Sequence, residues 1–161
     1  MTAESGWHLF TEAWALCWRD CLNHSPAFLA AAASWNGDLC LAIVASDSTI
    51  GRAVYLKVQD GTCQTARSAG PQDLDTATVT LTARPTTWQG IFSGTLSPTM
   101  AVFTGQVTFH RGSIADLLPH IATVKELFKG SLGVPTIFSE IADDQLALDG
   151  YPSIPGDGEG S

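Results

Sequence analysis

Basic residues are scarce in this chain: eight Lys and Arg stand against sixteen Asp and Glu over 161 residues, a formal net charge of −8. A nucleic-acid partner needs a basic face to release counterions from phosphate, and no stretch supplies one, so no nucleic-acid partner is expected. Charge of either sign is thin, at 15 % of residues against 45 % apolar. That balance argues against disorder and leaves a surplus of apolar surface, for which a cavity is one home. The acids also gather at one end. Residues 134–161 hold Glu140, Asp143, Asp144, Asp149, Asp157 and Glu159 with no Lys or Arg, leaving ten acids and eight bases in residues 1–133.

Membrane-length apolar runs are missing as well. The run AFLAAAASW (27–35) is too short to span a bilayer, and the start MTAESGWHLFTEAW has no basic leader region, so no stable membrane insertion is expected and the expected location is cytoplasmic. Cys17, Cys21, Cys40 and Cys63 form no C-x-x-C. A metal reading of the Cys17 and Cys21 pair needs two more ligands that the sequence does not offer, so buried free thiols are expected. Signatures of catalysis are absent too: no G-x-S-x-G, no phosphate loop and no dinucleotide fingerprint. Among His8, His24, His110 and His120, the one close set is His110, Asp116 and His120. Asp116 and His120 have the i, i+4 spacing of an ion pair or metal face, but no third ligand follows and Asp116 reads as a helix-start residue. The chain is expected to be non-catalytic and to need no cofactor.

What is present is a change of period along the chain. Residues 5–22 read as a helix with Phe10, Trp14, Cys17 and Cys21 on one face, widened by Trp7, Leu16, Trp18 and Leu22. Glu12 and Asp20 beside a single Arg19 are the wrong charge for an anionic membrane surface, so this face is read as packing. Ser25 and Pro26 open a second helix. Strands follow at DLCLAIVAS (38–46), RAVYLKV (52–58) and TCQTAR (62–67), with Asp60 and Gly61 closing a hairpin. In TATVTLT (76–82) the alternation puts Ala77, Val79 and Leu81 inward and the threonines on a wet face, as in an antiparallel sheet.

The stretch GTLSPTMAVFTGQVTFHRG (94–112) sorts into punctuation. Thr86 and Gln89 form a capping-box pattern for a short helix that Gly94 ends; Ser97 and Pro98 start another that Gly105 stops; QVTFH is a fifth strand, ended by Gly112. A further helix starts at Ser113, with Asp116 as capping partner and an apolar stripe of Ile114, Leu117, Leu118, Ile121, Val124 and Phe128. Pro119 predicts a kink or restart within it. Ile137, Phe138, Ile141 and Leu148 then recur at helical spacing, predicting a short amphipathic segment that could serve as a lid, before an acidic, glycine-rich end.

The run from Trp88 to Gly112, with Gly94, Pro98, Ala101, Gly105 and Gly112 at its fixed points, resembles the sterol carrier protein 2 family, and the strand order from about residue 35 to 130 matches it. The resemblance implies an α+β fold: a five-stranded, mostly antiparallel sheet with helices packed over one face, enclosing an apolar tunnel for acyl chains, acyl-CoA, sterols or phospholipids. It makes residues 1–133 one domain, with 1–34 as an N-terminal helical segment and 134–161 as an acidic tail. The closing residues GEGS do not match a peroxisomal tripeptide. Trp88, Phe92, Met100, Phe103, Phe109, Leu117, Leu118 and Ile121 become the candidate lipid-binding wall, although each alone would pass for core. The implied role is lipid transport or presentation. The alternative is an accessory subunit that presents a lipid or quinone-like substrate to an enzyme partner, with the tryptophans of the first helix as interface. A homo-oligomer fits either role.

Overall fold

The computed structural model describes residues 7–33, 35–45 and 49–137. The amphipathic segment and lid expected around Phe138, Ile141 and Leu148 lie outside the described residues, as does the acidic end.

The first helix begins later than its apolar pattern suggests. Thr11 accepts a hydrogen bond from the Trp14 amide at 3.4 Å and so caps α1 at Glu12–Asn23, while Trp7–His8 forms a short strand, β1. Phe10, with φ of 65°, turns the chain between them. Its ring is fully buried. Ser25 and Pro26 open α2, Pro26–Ala32, as the sequence predicts.

The sheet contains β2 (Gly37–Val44), β3 (Ile50–Gln59), β4 (Thr62–Ser68), β5 (Val79–Ala83) and β6 (Val107–Arg111) in the order β4-β3-β2-β5-β6. The hairpin between β3 and β4 turns at Asp60 and Gly61, both with positive φ (54° and 79°), as a type I′ turn requires. One pair departs from the antiparallel expectation. β5 lies parallel to β2, with Leu39 opposite Val79 and Leu41 opposite Leu81, because the chain crosses over through α3 (Pro71–Thr76) before β5 begins.

That crossover also corrects the wet face expected for residues 76–82. Thr80 is fully buried and Thr82 nearly so. The Thr80 hydroxyl donates to the Leu74 carbonyl at 2.8 Å, which satisfies it away from water. Ala77 packs with Cys40, Ala42, Ala53 and Leu74 on this second face, opposite to Val79 and Leu81. Small side chains on β2 and β3 are what let α3 lie close.

The larger face carries Leu39, Leu41, Val54, Leu56, Val79 and Leu81. Over it lie α1 and α2 together with α4 (Pro85–Phe92), α5 (Pro98–Phe103), α6 (Ile114–Leu117), a 3₁₀ turn (Leu118–His120) and α7 (Ile121–Ser131). β7 (Thr136–Ile137) pairs in parallel with β1, so Ile137, expected to open the amphipathic helical segment, is held in a strand by its pairing with His8. Arg84, not Thr86, occupies the N-cap of α4, because Pro85 already takes the first helical position. Pro119 produces the restart its position predicts, splitting α6 from α7 by the 3₁₀ turn. Gly94, Gly105 and Gly112 all adopt left-handed φ (86°, 82° and 82°). At Gly112 a Cβ would meet the Thr78 carbonyl at 2.9 Å, so both conformation and space call for glycine.

The tryptophans of α1 are core. Trp14 and Trp18 are fully buried, and the Trp18 indole donates to the Leu127 carbonyl at 2.9 Å. They join Phe10, Trp88 and Phe92 in an aromatic nest. Phe92 sits at its hub, 5.3–6.3 Å from the ring centres of Phe10, Trp14, Trp18, Trp88 and Phe128. Trp14 and Trp18 are therefore not available as the aromatic interface considered for the accessory-subunit alternative, while Trp7, in β1, is 38 % exposed.

Candidate functional site

Beside the nest the helical layer is less complete. β5 and β6 supply a floor of Leu81 and Val107; α4 adds Trp88 and Ile91, and α5 adds Pro98, Thr99, Val102 and Phe103. α6 and α7 close the far side with Ile114, Leu117, Ile121, Val124 and Phe128. The enclosed volume is about 30 Å³. Lipid-sized sites occupy roughly 300 Å³ or more, so this is a shut apolar slot where an open tunnel was expected. Apolar walls facing a ligand-sized gap lose both dispersion contacts and shelter from water, and they close on each other.

The element that closes the slot is held lightly. α5 is six residues long and buries only Ala101 among its side chains. Phe103 lines the slot while remaining 65 % exposed, and Met100 is 54 % exposed. Moving such a segment breaks few contacts of α5 itself, although it uncovers buried walls such as Leu81, Val107 and Leu117, which a bound chain would cover again.

The structure brings together Trp88, Phe103, Leu117 and Ile121 of the eight candidate wall residues. The other four fall elsewhere. Phe92 is the hub of the nest. Met100 faces outward from α5, and Leu118 is turned out by the restart at Pro119. Phe109 packs half-buried against the main core beyond the slot. Sequence reasoning missed Leu81, Ile91, Val102 and Val107 as lining residues. A signal did exist for the α6–α7 side, since Ile114, Leu117, Ile121, Val124 and Phe128 follow the 3.6-residue period once Leu118 is removed.

The slot adjoins a groove of about 500 Å³ between the α4–α5 connection and α7. Ile91, Pro98, Thr99 and Phe128 line both, so the two spaces share a wall. Groove residues of different chemistry then appear: Thr95, Ser97, Lys125, Glu126, Lys129 and the half-exposed Leu132.

The candidate catalytic set is dispersed. His110 Nε2 lies 3.1 Å from Asp75 Oδ1, His120 stacks on Trp35 at 5.4 Å, and Asp116 accepts from the Ser113 amide and hydroxyl as a helix start. His24 Nδ1 contacts the Asp20 carbonyl oxygen. No cluster of three metal-ligating side chains occurs among the described residues. Burial pushes the Cys40 and Cys63 thiols up to about 12, far from a reactive thiolate. Among the described residues, no helix is long and apolar enough to cross a membrane.

Charged chemistry concentrates on the sheet's other face. Arg67 donates two hydrogen bonds to Asp73, at 2.8 and 3.0 Å, and stands 4.5 Å over the Tyr55 ring. The Tyr55 hydroxyl donates to Asp38, which also accepts from the Thr78 amide at 2.7 Å. Burial, with Asp38 adjacent, pushes Tyr55 up to about 12. None of these groups lines the slot.

Comparison with known proteins gives a consistent picture. The SCP-2 sterol transfer family matches residues 20–115. A crystal structure of sterol carrier protein 2 superposes with a TM-score of 0.70 at 32 % identity, covering 79 % of this chain and 99 % of that one. The solution structure of a conserved hypothetical protein from Thermus thermophilus, described as possibly a sterol carrier protein, gives 0.71 at 32 % identity, covering 84 % and 97 %. Sterol carrier protein 2 from Yarrowia lipolytica in its apo form, at 15 % identity and a TM-score of 0.52, covers 77 % and 94 % and shares the fold. No curated protein matched the sequence.

Proposed function

The chain belongs to the SCP-2 sterol transfer family, its general role is lipid binding or transfer, and we propose that it is a non-catalytic carrier that takes a long acyl chain into the slot. The observation that carries this reading is the lining. Among the described residues thirteen line the slot, and Thr99 is the one of these with a free polar side chain, since the Trp88 indole is committed to the Ala42 carbonyl at 2.8 Å. Such a wall can exchange water for methylene groups but offers nothing to move a proton or attack a carbonyl.

The energetics favour a flexible ligand. Transferring about fourteen methylenes of a sixteen-carbon chain from water yields roughly 11 kcal/mol gross at ~0.8 kcal/mol each. Loss of ligand freedom and displacement of α5 reduce this, leaving an affinity on the order of micromolar or somewhat tighter. Binding from a shut state also lowers apparent affinity by the fraction of molecules already open.

The test is displacement of a fluorescent fatty acid from the delipidated, folded protein by unlabelled lipids. Saturable displacement is expected, and Phe103→Glu should weaken it by placing a charge at an apolar lip. Absence of saturable binding for every acyl ligand tried would reject the proposal.

A further inference from the structure

The outer groove differs chemically from the slot it adjoins. Lys125 and Lys129 are four residues apart on α7 and both line it, so their ammonium groups share one face of the helix. This placement is unusual in an acid-rich chain whose other cations are mostly occupied: Arg67 is paired with Asp73, Arg111 donates to the Ala77 carbonyl and Arg52 to the Leu9 carbonyl. Lys125 has no ionic partner among the described residues, and Lys129 approaches Glu126 only at 4.0 Å. Opposite them stand the hydroxyls of Ser97 and Thr99, further donors for an anion, while the Thr95 hydroxyl donates to the Gly90 carbonyl and Glu126 is the one carboxylate among the described residues of the groove. Thr99 belongs to both spaces, so the apolar slot and the lysine-lined groove share a polar residue at their common wall.

We infer that this groove is the head-group site, and that it selects amphiphiles ending in an anion, a carboxylate or a phosphate, over neutral ones of equal chain length. The inference rests on the reading of the slot as an acyl-chain site and adds the polar half of the ligand. An acyl chain in the slot fixes its own head within reach of Lys125 and Lys129, which contribute as point charges in partial solvent. Exposed ion pairs contribute about 0.2–1 kcal/mol each, so the two together amount to a preference of about two- to thirtyfold.

The experiment compares hexadecanoate, hexadecyl phosphate and hexadecanol as competitors of one fluorescent probe, in wild type and in Lys125→Gln/Lys129→Gln. Both lysines are exposed helix positions, so the variant should fold, and Lys57→Gln at an exposed position of β3 controls for loss of a lysine outside the groove. In wild type the two anions should compete better than the alcohol, with an advantage that shrinks at high salt. The double variant should lose most of that roughly two- to thirtyfold advantage and leave hexadecanol within twofold, while Lys57→Gln changes neither. Equal competition by acid, phosphate and alcohol in wild type overturns the inference and leaves acyl-chain binding intact. An anion preference unchanged in the double variant also overturns it. Failure of all three competitors removes the acyl-chain reading itself and the head-group site with it.

Discussion

The helical layer has two ends built from similar residues and packed to opposite effect. At the α1–α4 end, Phe10, Trp14, Trp18, Trp88 and Phe92 are buried to 4 % exposure or less and touch edge to face. At the α5–α6 end, Phe103, Met100 and Leu118 stand more than half exposed around a shut slot. The nest fixes the layer to the sheet and gives the slot one immobile wall; the light packing of α5 gives it one that can move. Phe128 joins the two, with its ring 5.7 Å from Phe92 and its side chain lining the slot. A binding site of this kind needs both halves, because a fully packed layer admits no ligand and a loose one holds no shape.

The largest loss of stability should come from the nest. Trp18→Ala deletes a fully buried ring and leaves the Leu127 carbonyl without its donor, so it should destabilise the protein by about 3–5 kcal/mol. The check is the urea midpoint at unchanged m-value. A loss below about 1 kcal/mol would show that this end is not packed as a core.

A moderate effect should come from the face of the sheet that neither end touches. The Arg67 hydrogen bonds hold the Asp73 carboxyl below the usual carboxylate range against the opposing effect of burial. Burial also works against Asp38, but hydrogen bonds from Thr78 and Tyr55 outweigh it and lower that group too. Groups lowered on folding contribute stability that is complete above their unfolded values near ~4 and is lost as pH falls through the folded ones. Wild type should therefore lose melting temperature below about pH 4. Asp73→Asn should start about 1 kcal/mol less stable at neutral pH, since Arg67 is partly solvated, and should show a shallower acid slope. Identical acid slopes in the two proteins would remove Asp73 from this role.

The smallest effect on stability should be at the lip. Phe103→Ala removes a ring that is 65 % exposed and should change the urea midpoint by no more than about 0.5 kcal/mol. It should nevertheless speed ligand release in stopped flow, because the ring covers the slot. If Phe103→Ala costs as much stability as Trp18→Ala, the two ends are not different in kind.

Much of the backbone was legible in the sequence. Ser25–Pro26 and Ser97–Pro98 start helices, Asp60–Gly61 turns the hairpin, and Gly94, Gly105 and Gly112 hold left-handed positions where the motif spacing places them. Each is decided by steric and hydrogen-bond relations within about four residues, which the sequence states outright. The roles of side chains were less legible. The period of TATVTLT marks Val79 and Leu81 correctly, yet nothing in it announces that Thr80 is buried against α3 or that Thr82 is buried beside Thr108 of β6. Phe92 and Phe103 are the same residue type, eleven positions apart, and one is the hub of the nest while the other is the lip of the slot. That division was settled only by tertiary structure: α1 and the turn before it supply three of the rings around Phe92, whereas among the described residues no remote side chain buries Phe103, and no local rule records which remote partner an apolar side chain will meet.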